Sequence, residues 1–386
     1  MPDRATSEGD AARAIDVLQQ LVAFNTESSR SNAAMIEAMR EELAPLGFST
    51  TVLTDEATGK AGLLATIGPL TAGGTVLSGH SDVVPVAGQA WTSDPYVLRR
   101  DGDRLHGRGT ADMKGFLACA LALAPVMAAA PLRRPIHLCV SYDEEITCEG
   151  VRPLIAHLQA AMPPVGVVIV GEPTGGTVVT QHKGAYGWIV TVRGVPCHSS
   201  VPHLGVSATG IAARLICWLD DRHRDRLASA TPGAFVPNST TGHTGRVHGG
   251  EAVNVIAAEC TFDIELRNLP GDDPYALLAE FRAEADRVLA AAGVPGAAVD
   301  IATDYAVPAF GAGGDATALC LRLSGQTKTV AATYSTEAGH FQEAGMSTVL
   351  CGPGAIDQAH TADEYIEVGQ LAACCTFLRR LIDDHC

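Results

Sequence analysis

Ile136-His137-Leu138-Cys139-Val140-Ser141-Tyr142-Asp143-Glu144-Glu145 is an apolar run of strand length that stops on three consecutive acids. Two other runs end in a related way. Thr75 to Ser78 leads into Gly79-His80-Ser81-Asp82, and Val165 to Val170 leads into Gly171-Glu172-Pro173-Thr174. Short apolar runs bounded by turn residues read as strands buried on both faces. Helical stretches starting at Gly115 and Glu149 alternate with them, the pattern of an α/β fold with a largely parallel sheet. In such sheets ligands gather at the carboxyl ends of the strands. Three separate strands therefore carry His80, Glu144, Glu145 and Glu172 to one edge.

Upstream, Ile15, Leu18, Leu21 and Val22, then Met35, Ile36, Met39 and Leu43, fit two amphipathic helices, the second ended by Gly47. The apolar run Phe116 to Leu132 falls short of the roughly 20 residues of a membrane span and holds Pro125 near its centre, so it reads as a core helix. After His182-Lys183-Gly184 the pattern changes to a strand-like Gly187 to Arg193, a helical Val206 to Leu227, a strand-like Cys260 to Leu266 and a helix from Pro274 to Ala292. This predicts a smaller α+β domain, residues 183–296, inserted into a larger one made of 1–182 and 297–386, with the return at Gly293 to Gly296. Met346 to Cys351 and a helix from Glu367 to Leu381 complete the larger domain.

Two domains also suit a length of 386 residues. A formal charge of −16 argues against nucleic acid and anionic membranes, which need clustered Lys and Arg. The eleven cysteines are irregularly spaced, with Cys374 and Cys375 adjacent and no Cys-x-x-Cys pair, so neither a disulfide framework nor a thiolate metal site is expected. Met1 to Asp10 is polar and lacks a secretory pattern. These features point to a cytoplasmic protein that acts on small molecules. A nicotinamide-dependent oxidoreductase is excluded because no Gly-x-Gly-x-x-Gly opens a helix after the first strand.

Gly107-Arg108-Gly109-Thr110-Ala111-Asp112-Met113-Lys114-Gly115 and Gln358-Ala359-His360 add an acid and a histidine to the three strand ends. Imidazole and carboxylate together suit zinc and its divalent neighbours, and a carboxylate can bridge a metal pair, which is hydrolytic machinery. In order and local sequence the five segments resemble the M20-type family of dinuclear metallopeptidases and deacylases. That family contains acetylornithine deacetylase, succinyl-diaminopimelate desuccinylase, aminoacylase and carboxypeptidase G. The resemblance runs from about Ala12 to the C-terminus. It is nearest to the acetylornithine deacetylase branch, through Ser335-Thr336-Glu337-Ala338-Gly339 and the stretch from Cys351 to Tyr365.

The resemblance implies a catalytic domain built on a mostly parallel mixed sheet covered by helices, with the insert serving as a dimerisation or lid domain. It implies two divalent metal ions, zinc first, with cobalt or manganese as alternatives. His80, Asp112 and Glu172 would hold one ion and Asp112, Glu145 and His360 the other, with Asp112 and a hydroxide bridging. Glu144 would be the general base, Asp82 would orient the His80 imidazole, and Asp112-Met113 would be a cis peptide. His198 would reach a neighbouring subunit's site in a homodimer to stabilise the oxyanion, and the strand run Gly187 to Arg193 could extend a sheet across the two-fold axis. Arg267 and Asn254 would bind the substrate α-carboxylate. Glu337 would bias the pocket toward a cationic side chain, with a structural role behind Thr336 as the alternative. The implied activity is removal of the acetyl group from N2-acetyl-L-ornithine. The alternatives are another N-acyl amino acid hydrolase of the family (a desuccinylase, aminoacylase or dipeptidase) and a metal-dependent binding protein without turnover. Against the last stands the complete set of ligands and base.

Overall fold

The structure is a computed structural model and describes residues 4–311 and 313–386. It divides into two compact units, one of Met1–Thr180, Ala312–Val330 and Thr336–Cys386, the other of Gln181–Gly311 with Ala331–Ser335.

In the first unit the strands Gly74–His80 and Ile136–Ser141 are buried along their whole length, as the unbroken apolar runs require of strands covered on both faces. They pair in parallel, and Gly74–His80 pairs in parallel with Val165–Val170 on its other side. Ser347–Leu350 continues the parallel set beyond Val165–Val170. The expected parallel sheet thus forms the middle of an eight-stranded mixed sheet. On one flank it is extended by an antiparallel hairpin of Ser49–Asp55 and Lys60–Ile67, which sequence periodicity did not reveal. The other flank carries Val179–His182 and Val330–Ala332.

Helices Arg4–Val22, Gly115–Ala122 and Val368–His385 pack on one another over this sheet. Leu18, Leu21, Phe116, Leu117, Leu371 and Leu378 share one buried cluster there. Each such side chain contributes about 1.5–3 kcal/mol by leaving water. The run expected as a single helix from Phe116 is two helices, Gly115–Ala122 and Ala124–Ala129, parted at Leu123. Pro125 has no N–H to continue the ladder, so the second helix starts with it in its first turn. Every residue of Gly115–Ala122 is buried, as befits a core helix.

The second unit is an antiparallel sheet in the order Thr241–His243, Glu259–Arg267, Ala185–Arg193, Ala298–Val307, with Val247–Gly249 also on Glu259–Arg267. Glu259–Arg267 alternates buried and partly exposed residues, so one face is covered. Trp188, Phe262 and Ile264 meet Leu215 and Phe281 from helices Ala208–Ala228 and Pro274–Ala292 in its core. Two expectations need correction. The return lies beyond Ala298–Val307 and not at Gly293 to Gly296, because that strand pairs along Ala185–Arg193 and belongs to this unit. Ala185–Arg193 is also an interior strand with partners on both sides, so it has no free edge to extend; Thr241–His243 and Ala298–Val307 end the sheet.

Candidate metal centre

The parallel strands end side by side. His80 is the last residue of its strand, Asp143-Glu144-Glu145 follow Ile136–Ser141, and Glu172 follows Val165–Val170 after one glycine. That glycine is required: a Cβ on Gly171 would lie 2.0 Å from the Phe116 ring. Asp112 arrives on the irregular turn Thr110–Lys114, entered through Gly109 at φ 80°, and the Asp112–Met113 peptide is cis. His360 arrives on the loop after Ser347–Leu350, with φ 61°.

These side chains converge. His80 Nε2 lies 3.0 Å from Asp112 Oδ1, His360 Nε2 lies 3.2 Å from Asp112 Oδ2, and His360 Nε2 lies 3.0 Å from Glu145 Oε2. Ligand atoms of His80, Asp112 and Glu172 all fall within 4.8 Å of one another, and so do those of Asp112, Glu145 and His360. Asp112 thus offers one oxygen to each group. Glu144 belongs to neither.

Burial pushes the Glu144 carboxyl well above the usual carboxylate range, and Glu145 and Asp112 push the same way against the pull of His80. Burial, helped by Asp112, raises Glu145 to about 7. Glu172 is lifted by burial and by Glu144 and Asp112. Asp112 runs the other way, because bonds to His360 and His80 overcome its burial and hold it below the usual range. Those to Asp112 and Glu145 raise His360 to about 10. So many carboxyl groups in one buried place call for positive charge. Glu172 Oε1, moreover, is buried without a hydrogen-bond partner, the condition of an oxygen suited to a cation. Nitrogen and oxygen donors in these two groups fit a pair of divalent ions.

The supporting residues differ from expectation in two places. His80 Nδ1 is 2.9 Å from the backbone carbonyl of Asp82 and 3.6 Å from its carboxylate, so the main chain, more than the acid, fixes the imidazole. The Asp82 carboxylate instead accepts Ser28 Oγ at 2.7 Å and the backbone N–H groups of Glu144 at 3.2 Å and Glu145 at 3.3 Å. Lys60, from the unforeseen hairpin, pairs with Asp143 and steadies the same loop. Glu337 is 1% exposed, and its two oxygens accept Ser78 Oγ and Ser141 Oγ, each at 2.6 Å. Those serines lie on the strands carrying His80 and Glu144, so Glu337 ties the strands together. Both of its oxygens are thus taken up by serines of the interior, which favours the structural alternative over the pocket role.

His198, Asn254 and Arg267 belong to the second unit. There His198 bridges Val255, and Ser199 N donates to Asn254 O at 3.0 Å, so the His198 loop and the Asn254 segment run side by side, both exposed. Arg267 ends its strand with Nε and Nη2 on Glu265 Oε1, at 3.0 and 2.5 Å, and Nη1 on Ser335 Oγ at 3.1 Å. Burial and the nearby Arg267 hold the Lys183 ammonium below its usual range. Lys183 Nζ donates to the backbone carbonyl of Ser239 at 2.7 Å.

A parallel sheet whose strand ends carry two histidine–carboxylate groups, with one glutamate beside them that joins neither, is the framework of a metal-dependent hydrolase. The chain belongs to peptidase family M20/M25/M40, whose sequence profile matches residues 76–384. It is 34% identical over 385 residues to the acetylornithine deacetylase of Proteus mirabilis, covering 96% of each chain. It is also 34% identical over 377 residues to that of Myxococcus xanthus, again covering 96% of each. A tripeptidase from Staphylococcus aureus shares the fold with a TM-score of 0.73 at 20% identity, covering 97% of this chain and 98% of that one. So does a dinuclear metal binding peptidase from Bacillus subtilis, with a TM-score of 0.68 at 16% identity and the same coverage.

Proposed function

We propose that the protein is an amidohydrolase that removes the acetyl group from an N-acetyl amino acid, with N2-acetyl-L-ornithine, cleaved to L-ornithine and acetate, as substrate. The observation that carries the reading is the division between two adjacent acids, Glu145 inside a ligand group and Glu144 outside both. Near-full-length relatives named acetylornithine deacetylase support the choice of substrate.

In this reading His80, Asp112 and Glu172 hold one divalent ion and Asp112, Glu145 and His360 the other. When bound, the ions supply Lewis-acid polarisation of the acyl carbonyl and acidification of water. Zinc leads, with cobalt or manganese as alternatives. Glu144, whose proton affinity is raised by burial, takes a proton from the water whose oxygen bonds to the acyl carbon and delivers it to the amine nitrogen as the carbon–nitrogen bond breaks, leaving acetate and the free amine. Asp82 keeps Glu144 in place through the backbone of the loop. Arg267 and Asn254 bind the α-carboxylate, and His198 donates to the developing oxyanion of the neighbouring subunit's substrate in a cytoplasmic homodimer. Eleven free cysteines are consistent with a reducing compartment.

A second reading, a broader N-acyl amino acid hydrolase, is favoured by the burial of Glu337 between two serines, which leaves the cation preference without its acid. Comparing kcat/KM for N-acetylornithine, N-acetylmethionine and an N-succinyl amino acid on the metal-loaded protein decides the matter. Preference for the ornithine derivative supports the first reading, and preference for a neutral or succinylated substrate replaces it. Mixing His198→Ala with Glu144→Ala chains tests the shared site, since a heterodimer recovers one intact site only if His198 serves its neighbour.

A further inference from the structure

Glu364 lies four residues after His360 and is 1% exposed. Pairing of Tyr365–Glu367 with Arg104–His106 sets it beside the Asp112 segment, where Gly107 N donates to Glu364 O at 2.9 Å. Its carboxylate accepts four donors. Oε2 takes Arg108 Nη1 at 2.7 Å and Gly109 N at 3.0 Å, while Oε1 takes Ala111 N at 2.9 Å and Asp112 N at 3.1 Å. Arg108, equally buried, passes the connection on. Its Nη2 donates to Gln89 Oε1, and Gln89 Nε2 donates to the backbone carbonyl of His360 at 2.8 Å. The Trp91 ring stacks on the guanidinium at 5.1 Å and its Nε1 donates to Gln89 Oε1 at 3.0 Å.

An unbroken chain of hydrogen bonds therefore runs from the backbone of Asp112, through Glu364, Arg108 and Gln89, to the backbone of His360. It leaves the Asp112 carboxylate and the His360 imidazole free to face each other at 3.2 Å. The His360 end needs holding, since its side chain is 49% exposed and both His360 and Asp363 have positive φ. The other ligand group has no such need, because His80 and Glu172 sit at the ends of buried strands.

We propose that Glu364, Arg108 and Gln89 are positioning residues that set the spacing of Asp112 and His360, and thereby the affinity of the Asp112–Glu145–His360 group for its ion relative to the His80–Asp112–Glu172 group. The inference rests on the two-ion reading above. Residues that orient metal ligands change affinity about 10- to 100-fold when replaced.

The test is titration of metal-free protein with Zn²⁺ by calorimetry, resolving two binding steps. Glu364→Gln strands the buried Arg108 charge and can unfold the chain, so the deciding variants are Gln89→Ala and Gln89→Glu. The latter keeps an acceptor for Arg108 and replaces the donor to His360 with a charged acceptor that faces the carbonyl. Both should weaken one step about 10-fold and leave the other unchanged. The readout is the ratio of the two affinities, which a general loss of stability does not move. An unchanged ratio in both variants overturns the clamp while sparing the two-ion reading. A wild-type protein that takes up only one ion overturns both.

Discussion

The carboxylate of Asp82 holds the backbone N–H of Glu144 at 3.2 Å. The residue two places beyond a candidate ligand histidine thus fixes the loop that carries the candidate base. Asp82→Asn turns one acceptor into a donor facing those N–H groups, while the bond from His80 Nδ1 to the Asp82 carbonyl survives. We expect kcat to fall about 10- to 100-fold with little change in Zn²⁺ affinity. Steady-state kinetics beside metal titration checks this, and a loss confined to metal affinity would show that Asp82 acts through His80 instead.

Glu144→Gln should lower kcat by about 10²- to 10⁴-fold, the usual worth of a positioned acid–base group, and retain its metal. Glu145→Gln should lose metal first. Elemental analysis of both variants after dialysis separates the two roles, and the reverse pattern would exchange them.

Gly171→Ala should destabilise the fold by roughly 1–3 kcal/mol, the cost of overpacking a tight core, since the added carbon meets the Phe116 ring. Because Glu172 is the next residue, the same variant should bind metal more weakly. Urea midpoints and metal titration read the two effects, and an alanine that is neutral in both shows that the ring gives way.

Acid should weaken the fold through buried histidines. Burial lowers His137 to about 4, with His385 adding to the effect, and lowers His385 to about 4 as well. An unfolded histidine titrates near pH 6.5, so between these values the unfolded chain binds more protons than the native one. Stability from these groups is complete above about pH 6.5 and declines as pH falls toward 4. His137→Gln should flatten this decline, measured as urea midpoints at pH 7 and pH 5. An identical pH response in wild type and variant rules the histidine out.

Much of the catalytic unit was legible because its strands are unbroken apolar runs that stop on acids or a histidine, as at Val170 and Glu172. The division into two ligand groups came only from the resemblance to the family, not from spacing or periodicity. What escaped notice has no local pattern. Ser49–Asp55 and Lys60–Ile67 form a hairpin whose outer strand is only partly buried, so its periodicity is weak. Ala298–Val307 lacks a fully buried face and gave no reason to extend the insert past Gly296. Glu364 and Arg108 act on backbone groups and on each other across 256 positions, and Glu337 resembles a pocket acid until Ser78 and Ser141 are seen on either side.

The ligand positions also have an order in time. His80, Asp112 and Glu172 all precede Thr180, and the strands that carry His80 and Glu172 pair with each other within that stretch. His360 emerges only after the entire insert has been synthesised. At ribosomal speeds of about 5–20 residues per second, the residues of one group have all been synthesised many seconds before His360 is. The packing that sets those residues nevertheless waits for the C-terminus, because Val368–His385 lies against Arg4–Val22 and Gly115–Ala122 and Glu364 holds the backbone of Asp112.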